Sequence, residues 1–261
     1  MTATATTGTP ATYRGGFGFR QAARMEWIKL CSLRSTTWVL AGGIAVTIAL
    51  GAVAGLNTRN PDGDPTSNVL SGVIFGQLMI GVLGVLVMSS EYSSGLIRST
   101  LAAIPRRPLV LAAKAAVWGI VALAAGETAT FGSFLAGIAA LRASVPHPSL
   151  AEPAVLRAVA LTGAYLALVA LIGLGLGAIV RHSAAAVATL VGGLFVLPLI
   201  IGAGTHKAGQ FLPELIAANS LSAVKPIADF PLSPWLELGI VVMYAVIILG
   251  AGGWLLARRD A

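Results

Sequence analysis

Residues 89–114 read SSEYSSGLIRSTLAAIPRRPLVLAAK and separate two long apolar runs. This is the only long connector of the chain that is rich in arginine. Within it, Ile97, Leu101 and Ile104 fall on one face of a helix, and the arginine beside Ile97 lies off that face. The PRRP segment that follows forces a turn, because proline cannot continue a helical hydrogen-bond ladder. The stretch therefore predicts a short amphipathic helix and a rigid turn leading into the next apolar run.

The composition indicates that lipid is part of the solvent of this protein. The chain has 261 residues, of which 56% are hydrophobic and only 10% are charged, whereas soluble domains carry about 25% charged residues. The net charge of +7 does not indicate nucleic acid as a partner, since the basic residues form no single stripe. We therefore expect an integral membrane protein in contact with the bilayer.

Six apolar runs are each near or above the roughly 20 residues that a helix needs to cross a bilayer. They are Trp38–Leu56, Val69–Ser89, Ala115–Leu141, Ala158–Val180, Ala184–Gly204 and Trp235–Ala257. Backbone groups in lipid must be hydrogen-bonded within their own segment, so each run is expected to be helical. The prediction is an all-α bundle of six transmembrane helices, in one domain over residues 17–261 after a disordered tail at 1–16.

Residues 17–34 predict a helix that lies on the membrane surface before the first span. One face collects apolar side chains and the other collects basic ones, but Glu26 falls within the apolar arc. The apolar face holds Phe19, Ala23, Trp27, Leu30 and Leu33, and the basic side holds Arg20, Arg24 and Lys29. Two interpretations stay open: an interfacial helix that also contacts a partner, or a basic anchor that only fixes orientation.

The last connector, residues 205–234, contains short apolar pieces broken by four prolines. Such pieces are too short to span a bilayer. They predict re-entrant helices whose ends are covered by neighbouring protein, and the alternative is an ordinary loop packed on the helix ends.

The distribution of basic residues predicts the orientation of the chain. With six spans, 12 of the 17 lysines and arginines fall on the side of the two termini, and 5 fall on the other side. Basic residues are retained in the cytosol. We therefore expect a plasma-membrane protein with both termini in the cytoplasm and with residues 89–114 on the cytosolic side.

No pattern in the sequence is typical of an enzyme. The three histidines lie in separate connectors without metal-ligand spacing, so no metal site is predicted. None of the four lysines follows a glycine, so the phosphate-binding loop G-x-x-x-x-G-K-[ST] is absent. We expect this chain to bind no cofactor, and ATP would have to be hydrolysed by another chain.

Glu127 and, more weakly, Gln77 are candidate polar sites inside predicted spans. A carboxylate at bilayer depth costs roughly 2.5–3.5 kcal/mol on insertion scales and usually faces the interior of a bundle or a water-filled path. Glu127 could contact a substrate or a proton, or it could be a carboxyl group that only hydrogen-bonds a neighbouring helix.

Small residues and one proline predict how the spans pack. Gly51 and Gly55 have the spacing that lets helices approach closely, as do the glycines at 173 and 177; we expect most of these contacts to lie within the bundle, with a dimer face as the alternative. Pro198 predicts a bend in the fifth span.

Three stretches resemble one family. They are RMEWIKLCSLRSTTWVL at 24–40, EYSSGLIRSTLAAIPRRPLVLAAK at 91–114, and the arginine pair at 258–259. This arrangement resembles the permease subunits of type-2 ATP-binding-cassette exporters, particularly the actinobacterial ones. The second stretch is the most specific, and the six-span count and the apolar last connector also fit.

The resemblance implies a fold and partners. Family members have six membrane helices, an N-terminal interfacial helix, a coupling helix between spans two and three, and re-entrant helices before span six. Two such half-bundles pair, as two copies or as paralogues, and two cytosolic ATPase subunits, which hold ATP and Mg²⁺, dock on the coupling helices. The exported substrate stays open, and a drug, a lipid or a peptide would each fit.

The resemblance also nominates the residues of an ATPase-coupling surface. Carried over by position, with the arginine pair of the turn added, they are Glu91, Tyr92, Gly95, Arg98, Ser99, Thr100, Arg106 and Arg107. Two other classes of function stay open. One is a proton-coupled secondary carrier that uses Glu127, which the lack of a proton relay and of an inverted repeat disfavours; the other is a non-transporting membrane scaffold.

Overall fold

The computed structural model describes residues 18–59, 63–104, 106–202 and 232–258, together with Leu212, Pro213, Ile216 and Ala223. The first six helices are α1 (Phe19–Ser32), α2 (Arg34–Asn57), α3 (Pro65–Leu70), α4 (Val73–Ser93), α5 (Leu96–Ala103) and α6 (Arg107–Ala140). They are followed by α7 (Pro153–Val180), α8 (Ser183–Val191), a π-helical segment (Gly192–Val196), α9 (Leu197–Gly202) and α10 (Pro234–Arg258). No strand occurs in these residues, so the expected all-α class is confirmed.

Five helical stretches are long and apolar enough to cross a membrane: α2, the joined pair α3–α4, α6, α7 and α10. They correspond to the first, second, third, fourth and sixth predicted spans. The tail at 1–16 and most of the connector at 205–234 lie outside the described residues, and so do the predictions of disorder and of re-entrant helices made for them.

The fifth predicted span, Ala184–Gly204, is not one regular helix. Its residues form α8, the π-helical segment and α9 in succession. Pro198 has no N–H to donate, and its ring clashes with the carbonyl group four residues earlier, that of Leu194. Leu194 lies in the π-helical segment, where the wider turn changes the hydrogen-bond register. At the bend predicted near Pro198, the α-helix is therefore interrupted by the π-helical segment. This stretch is not among the five helices that are long and apolar enough to span a membrane.

The helix that contains the third predicted span, Ala115–Leu141, begins earlier than that span. Helix α6 begins at Arg107, with Pro108 in its first turn, where a missing N–H costs no helical hydrogen bond. Its 34 residues give a length of about 51 Å at 1.5 Å per residue, which exceeds the hydrocarbon core of about 30 Å. Part of α6 must therefore extend beyond such a core. Hydropathy detects only the apolar part of such a helix.

Helix α7 lies at the centre of the bundle and packs against α4, α6 and α10. Glycine makes close helix contacts possible. A Cβ on Gly84 would overlap the carbonyl group of Ala170 between α4 and α7, and one on Gly55 would overlap that of Gly137 between α2 and α6. The predicted close approach of small residues is therefore found within the chain.

One end of the bundle collects four segments that are distant in sequence. The Nζ atom of Lys29 in α1 lies 2.9 Å from the carboxylate of Glu91 at the end of α4. The hydroxyls of Ser89 and Ser183 are 2.8 Å apart, which brings the α7–α8 turn to the same place. The start of α6 reaches the last turn of α10 there as well. We call this the α5 end, and it gathers the four segments expected on one side of the membrane.

Candidate functional site

The connector between α4 and α6 folds as a turn, a short helix and a second turn. Gly95 adopts a left-handed conformation (φ 73°) between α4 and α5, which glycine accepts without the steric cost of a side chain. In α5, Ile97 is buried and Leu101 partly buried, and Ile104 just after the helix is fully buried, whereas Arg98 is exposed. The helix therefore has the two faces that its sequence predicts.

Beneath α5 lies a group of four charged side chains and one hydroxyl group that joins four helices. We call it the charge cluster, and it consists of Glu26 and Lys29 from α1, Glu91 from α4, Thr100 from α5 and Lys114 from α6. The ammonium group of Lys114 contacts the carboxylate of Glu26 and lies 2.8 Å from Oε1 of Glu91. Lys29 Nζ donates to Glu26 at 2.9 Å, to Glu91 at 2.9 Å and to Thr100 Oγ1 at 3.0 Å.

Because its charges are buried, the charge cluster restrains the positions of α1, α4 and α6 relative to one another. Lys114 is 3%, Glu26 4% and Glu91 6% exposed, so water does little to solvate these charges. The effective penalty for burying one ion is several kcal/mol, and only a close partner offsets it. Two carboxylates and two ammonium groups balance here, so each helix is held where its charge meets its partners.

Lys29 stands at the outer edge of the charge cluster, with its side chain 30% exposed. Burial alone would lower the pKa of Lys29, but its hydrogen bonds to Glu91 and Glu26, together with their negative charges, outweigh this and raise that pKa above 10.5. Lys29 therefore stays protonated at neutral pH, and all of its contacts in the charge cluster are charge-assisted.

Helix α1 docks on the bundle through the stripe that holds its paired charges. Ala22 and Glu26 are buried, and Met25 and Lys29 are partly buried. Ala22 and Met25 pack with Ile104, which follows α5, and with the start of α6. Of the predicted apolar face, Phe19, Trp27 and Leu33 are 47–51% exposed, whereas Ala23 and Leu30 are partly buried against the protein. Lys29, placed by its spacing on the basic side of the helix with Arg20 and Arg24, is partly buried and contacts the protein together with Glu26.

The residues predicted as one coupling surface separate into four places. Gly95, Arg98 and Ser99 are exposed on the outer face of α5. Glu91 and Thr100 are buried in the charge cluster, so they support that face from beneath. Leu96, which the sequence argument did not select, is 55% exposed on the same outer face.

Tyr92 and the arginine pair occupy the third and fourth of these places. The ring of Tyr92 lies under the guanidinium group of Arg181, at 5.1 Å from its centroid, which links the end of α4 to the α7–α8 turn. Arg107 turns toward α10, where its Nη1 donates to the carbonyl oxygen of Leu256 at 3.3 Å. Arg106 and Arg107 thus line a surface against α10, apart from the outer face of α5.

The two candidate polar residues inside the spans make separate contacts. Gln77 is buried, and its Oε1 accepts a hydrogen bond of 2.6 Å from the hydroxyl group of Tyr165 in α7. The carboxyl group of Glu127 packs over Gly163, since a Cβ at that glycine would lie 2.6 Å from Cδ of Glu127. Gln77 thus joins α4 to α7, and Oε2 of Glu127 is buried without a hydrogen bond in the described chain.

The sequence patterns did not predict Glu26 and Lys114 as site residues. One signal was present, because Glu26 interrupts the apolar arc of α1, and a charge in such an arc requires a partner. Its partner could not be read off one sequence, since Lys114 lies 88 residues further along the chain. Among the described residues, no three histidine, cysteine, aspartate or glutamate side chains could together hold a metal ion.

The comparisons with known proteins give no family for this chain. No protein-family model matches the sequence, and no curated protein matches it. The functional argument therefore rests on the geometry of α5, of the charge cluster beneath it and of the helices that the cluster joins.

Proposed function

We propose that this chain is the permease subunit of an ATP-binding-cassette exporter and that α5 is the element on which a separate cytosolic ATPase acts. The observation that carries the proposal is the pairing of an exposed α5 face with a buried charge cluster. Such a face offers Leu96, Arg98 and Ser99 to a partner. Its other side is joined through Thr100 to Lys29 of α1 and through Ile97 to the main apolar core.

The charge cluster gives this proposal a physical route for movement. Ion pairs at hydrogen-bond distance are directional and, when buried, costly to break. A force on the outer face of α5 would therefore move α1, the end of α4 and the start of α6 together. Because α4 and α6 both pack on α7, displacement at the α5 end would reach the centre of the bundle.

The proposal includes a membrane arrangement. It takes residues 183–202 as the fifth of six spans, interrupted by the π-helical segment. It sets α1, α5 and the end of α10 at the cytosolic side, as the distribution of basic residues favours. Two copies, or this chain and a paralogue, would form the transport path, with ATP and Mg²⁺ on the ATPase partner. The substrate is a drug, a lipid or a peptide.

The test is the capture of an ATP-binding-cassette ATPase encoded beside this chain. We expect Arg98→Glu to reduce copurification of that ATPase about tenfold or more, because the reversal places like charge at the contact, while the protein still inserts in the membrane. Arg142→Glu is the matched control, since Arg142 is also exposed but lies beyond the opposite end of α6. Equal capture by wild type and Arg98→Glu, or no ATPase gene nearby, would contradict the assignment.

One observation favours a second candidate, a proton-coupled carrier. Oε2 of Glu127 is buried without a hydrogen bond in the described residues, and an ionisable group at that depth is often functional. Transport that continues after ATP depletion, stops when the proton gradient collapses and is lost in Glu127→Gln would establish this alternative.

A further inference from the structure

A groove opens at the α5 end between the first turns of α6 and the last turn of α10. It is a shallow, open depression of about 690 Å³, and we call it the basic groove. Its lining residues are Arg106, Arg107, Pro108, Leu109, Ala112 and Ala257. The two arginines form its cationic side, and the remaining side chains are apolar.

The cationic side is held in place by the protein itself. Arg107 Nη1 donates to the carbonyl oxygen of Leu256, one of the last four carbonyl groups of α10, which have no partner within the helix. This bond fixes the Arg107 guanidinium on the wall of the groove. Arg106 beside it is exposed, so its donors are within reach of an anion.

The neighbouring surface of α10 has the composition of a membrane boundary. Trp254 is 53% exposed, and the guanidinium group of Arg258 lies 4.4 Å from the centroid of its ring. Tryptophan and arginine side chains concentrate where hydrocarbon meets head groups. This composition favours a position of the basic groove at the level of the phospholipid phosphates.

We infer that the basic groove binds the phosphate group of an anionic phospholipid, with the beginning of an acyl chain against Leu109 and Ala112. Arginine forms charge-assisted, bidentate hydrogen bonds with phosphate, and cationic pockets between membrane helices are a recurring site for anionic head groups. An acidic surface of a protein partner would match the arginines but not the apolar floor. This inference does not depend on the proposed transport activity.

The experiment titrates the full chain in neutral detergent with three probes: dioctanoyl phosphatidylglycerol, dioctanoyl phosphatidylcholine and inorganic phosphate. Native mass spectrometry counts the bound lipid, and the melting temperature reports the affinity. We expect phosphatidylglycerol to bind and raise the melting temperature, and the other two to have little effect at the same concentration. Arg106→Gln should weaken binding about tenfold, the size expected for losing one charge-assisted contact.

Two further variants keep the test decisive if Arg106→Gln is ambiguous. Ala112→Trp fills the apolar floor without changing charge and should also abolish phosphatidylglycerol binding. Arg98→Gln removes the same charge from the outer face of α5 and should leave it unchanged. The inference is overturned if Arg98→Gln weakens binding as much as Arg106→Gln does, or if inorganic phosphate binds as well as the lipid. It is also overturned if the groove variants keep their lipid affinity and lose only ATPase capture.

Discussion

Glu26 is a charged residue on the face of α1 that its neighbours make apolar. It is tolerated there because its carboxylate meets Lys114 and Lys29 in a site with little water. Removing one partner of a buried ion pair costs far more free energy than replacing both partners by apolar residues. The charge cluster therefore makes the position of α1 depend on single atoms of α4 and α6.

Breaking the charge cluster from one side should destabilise the α5 end. We expect Glu26→Gln to lower stability by about 3–5 kcal/mol, because Lys114 then stays buried with less compensation. The measurement is chemical denaturation of the detergent-solubilised protein. The double variant Glu26→Gln/Lys114→Met leaves Lys29 with Glu91 as a balanced pair and should be more stable than Glu26→Gln alone. If the effects of the two substitutions simply add, the pairing contributes nothing.

Lys29 gives the charge cluster a defined dependence on pH. Because Glu91 and Glu26 raise the pKa of Lys29 above 10.5, its contribution to stability is complete below pH 10.5 and is lost as the pH rises through the higher pKa of the folded state. The melting temperature should therefore differ between wild type and Lys29→Met by a constant amount around neutral pH, and the difference should shrink only in strongly alkaline solution.

The control for this pH dependence is Lys29→Arg. A guanidinium group does not lose its proton in this range, so any stabilisation that Lys29→Arg keeps relative to Lys29→Met should persist at alkaline pH. The same alkaline loss in Lys29→Arg would show that another group titrates.

At the scale of helices, sequence predicts what depends on length and local pattern. Long apolar runs located α2, α4, α6, α7 and α10, because crossing lipid requires length and hydrophobicity alone. The eight residues that α6 adds before the predicted span, Arg107–Lys114, begin and end with a basic residue, so hydropathy alone did not assign them to the span. The pairing of Glu26 with Lys114 was missed because it joins residues far apart in the chain, and one sequence contains no signal of such a contact.

The contact between α4 and α7 should be the least tolerant of added volume. A Cβ at Gly84 would overlap the carbonyl group of Ala170, and backbone atoms can yield only if the helices separate. We expect Gly84→Ala to cost about 1–3 kcal/mol, typical of overpacking in a dense interior. Gly250→Ala is the matched control, since nothing lies within 4 Å of its added methyl group. Equal melting temperatures for the two variants would argue against close packing here.

At the scale of the whole molecule, burial separates inner helices from outer ones. In the most apolar 18-residue stretch of each helix, 67% of the residues are buried in α7 and 61% in α3–α4, but only 22% in α10 and 17% in α2. Such bare apolar helices need lipid or another protein around them. Among the described residues, the charged side chains of α1, of the end of α4 and of the start of α6 gather at the α5 end, which is therefore strongly polar.

The side of the membrane on which the α5 end lies is open to a direct measurement, because the chain has a single cysteine. Cys31 is exposed in α1, and α1 is held by the charge cluster beside α5. A membrane-impermeant maleimide should therefore label Cys31 in inside-out vesicles and leave it unlabelled in intact cells.

The opposite end of α6 supplies the matched probe for this topology. In the variant Cys31→Ser/Arg142→Cys, the new thiol lies beyond the far end of a helix about 51 Å long, so it should be labelled in intact cells. Labelling of Cys31 from outside would place α5 where no cytosolic ATPase can reach it. The coupling proposal would then be wrong, whereas the charge cluster and its stability predictions would stand, since they depend only on contacts within the chain.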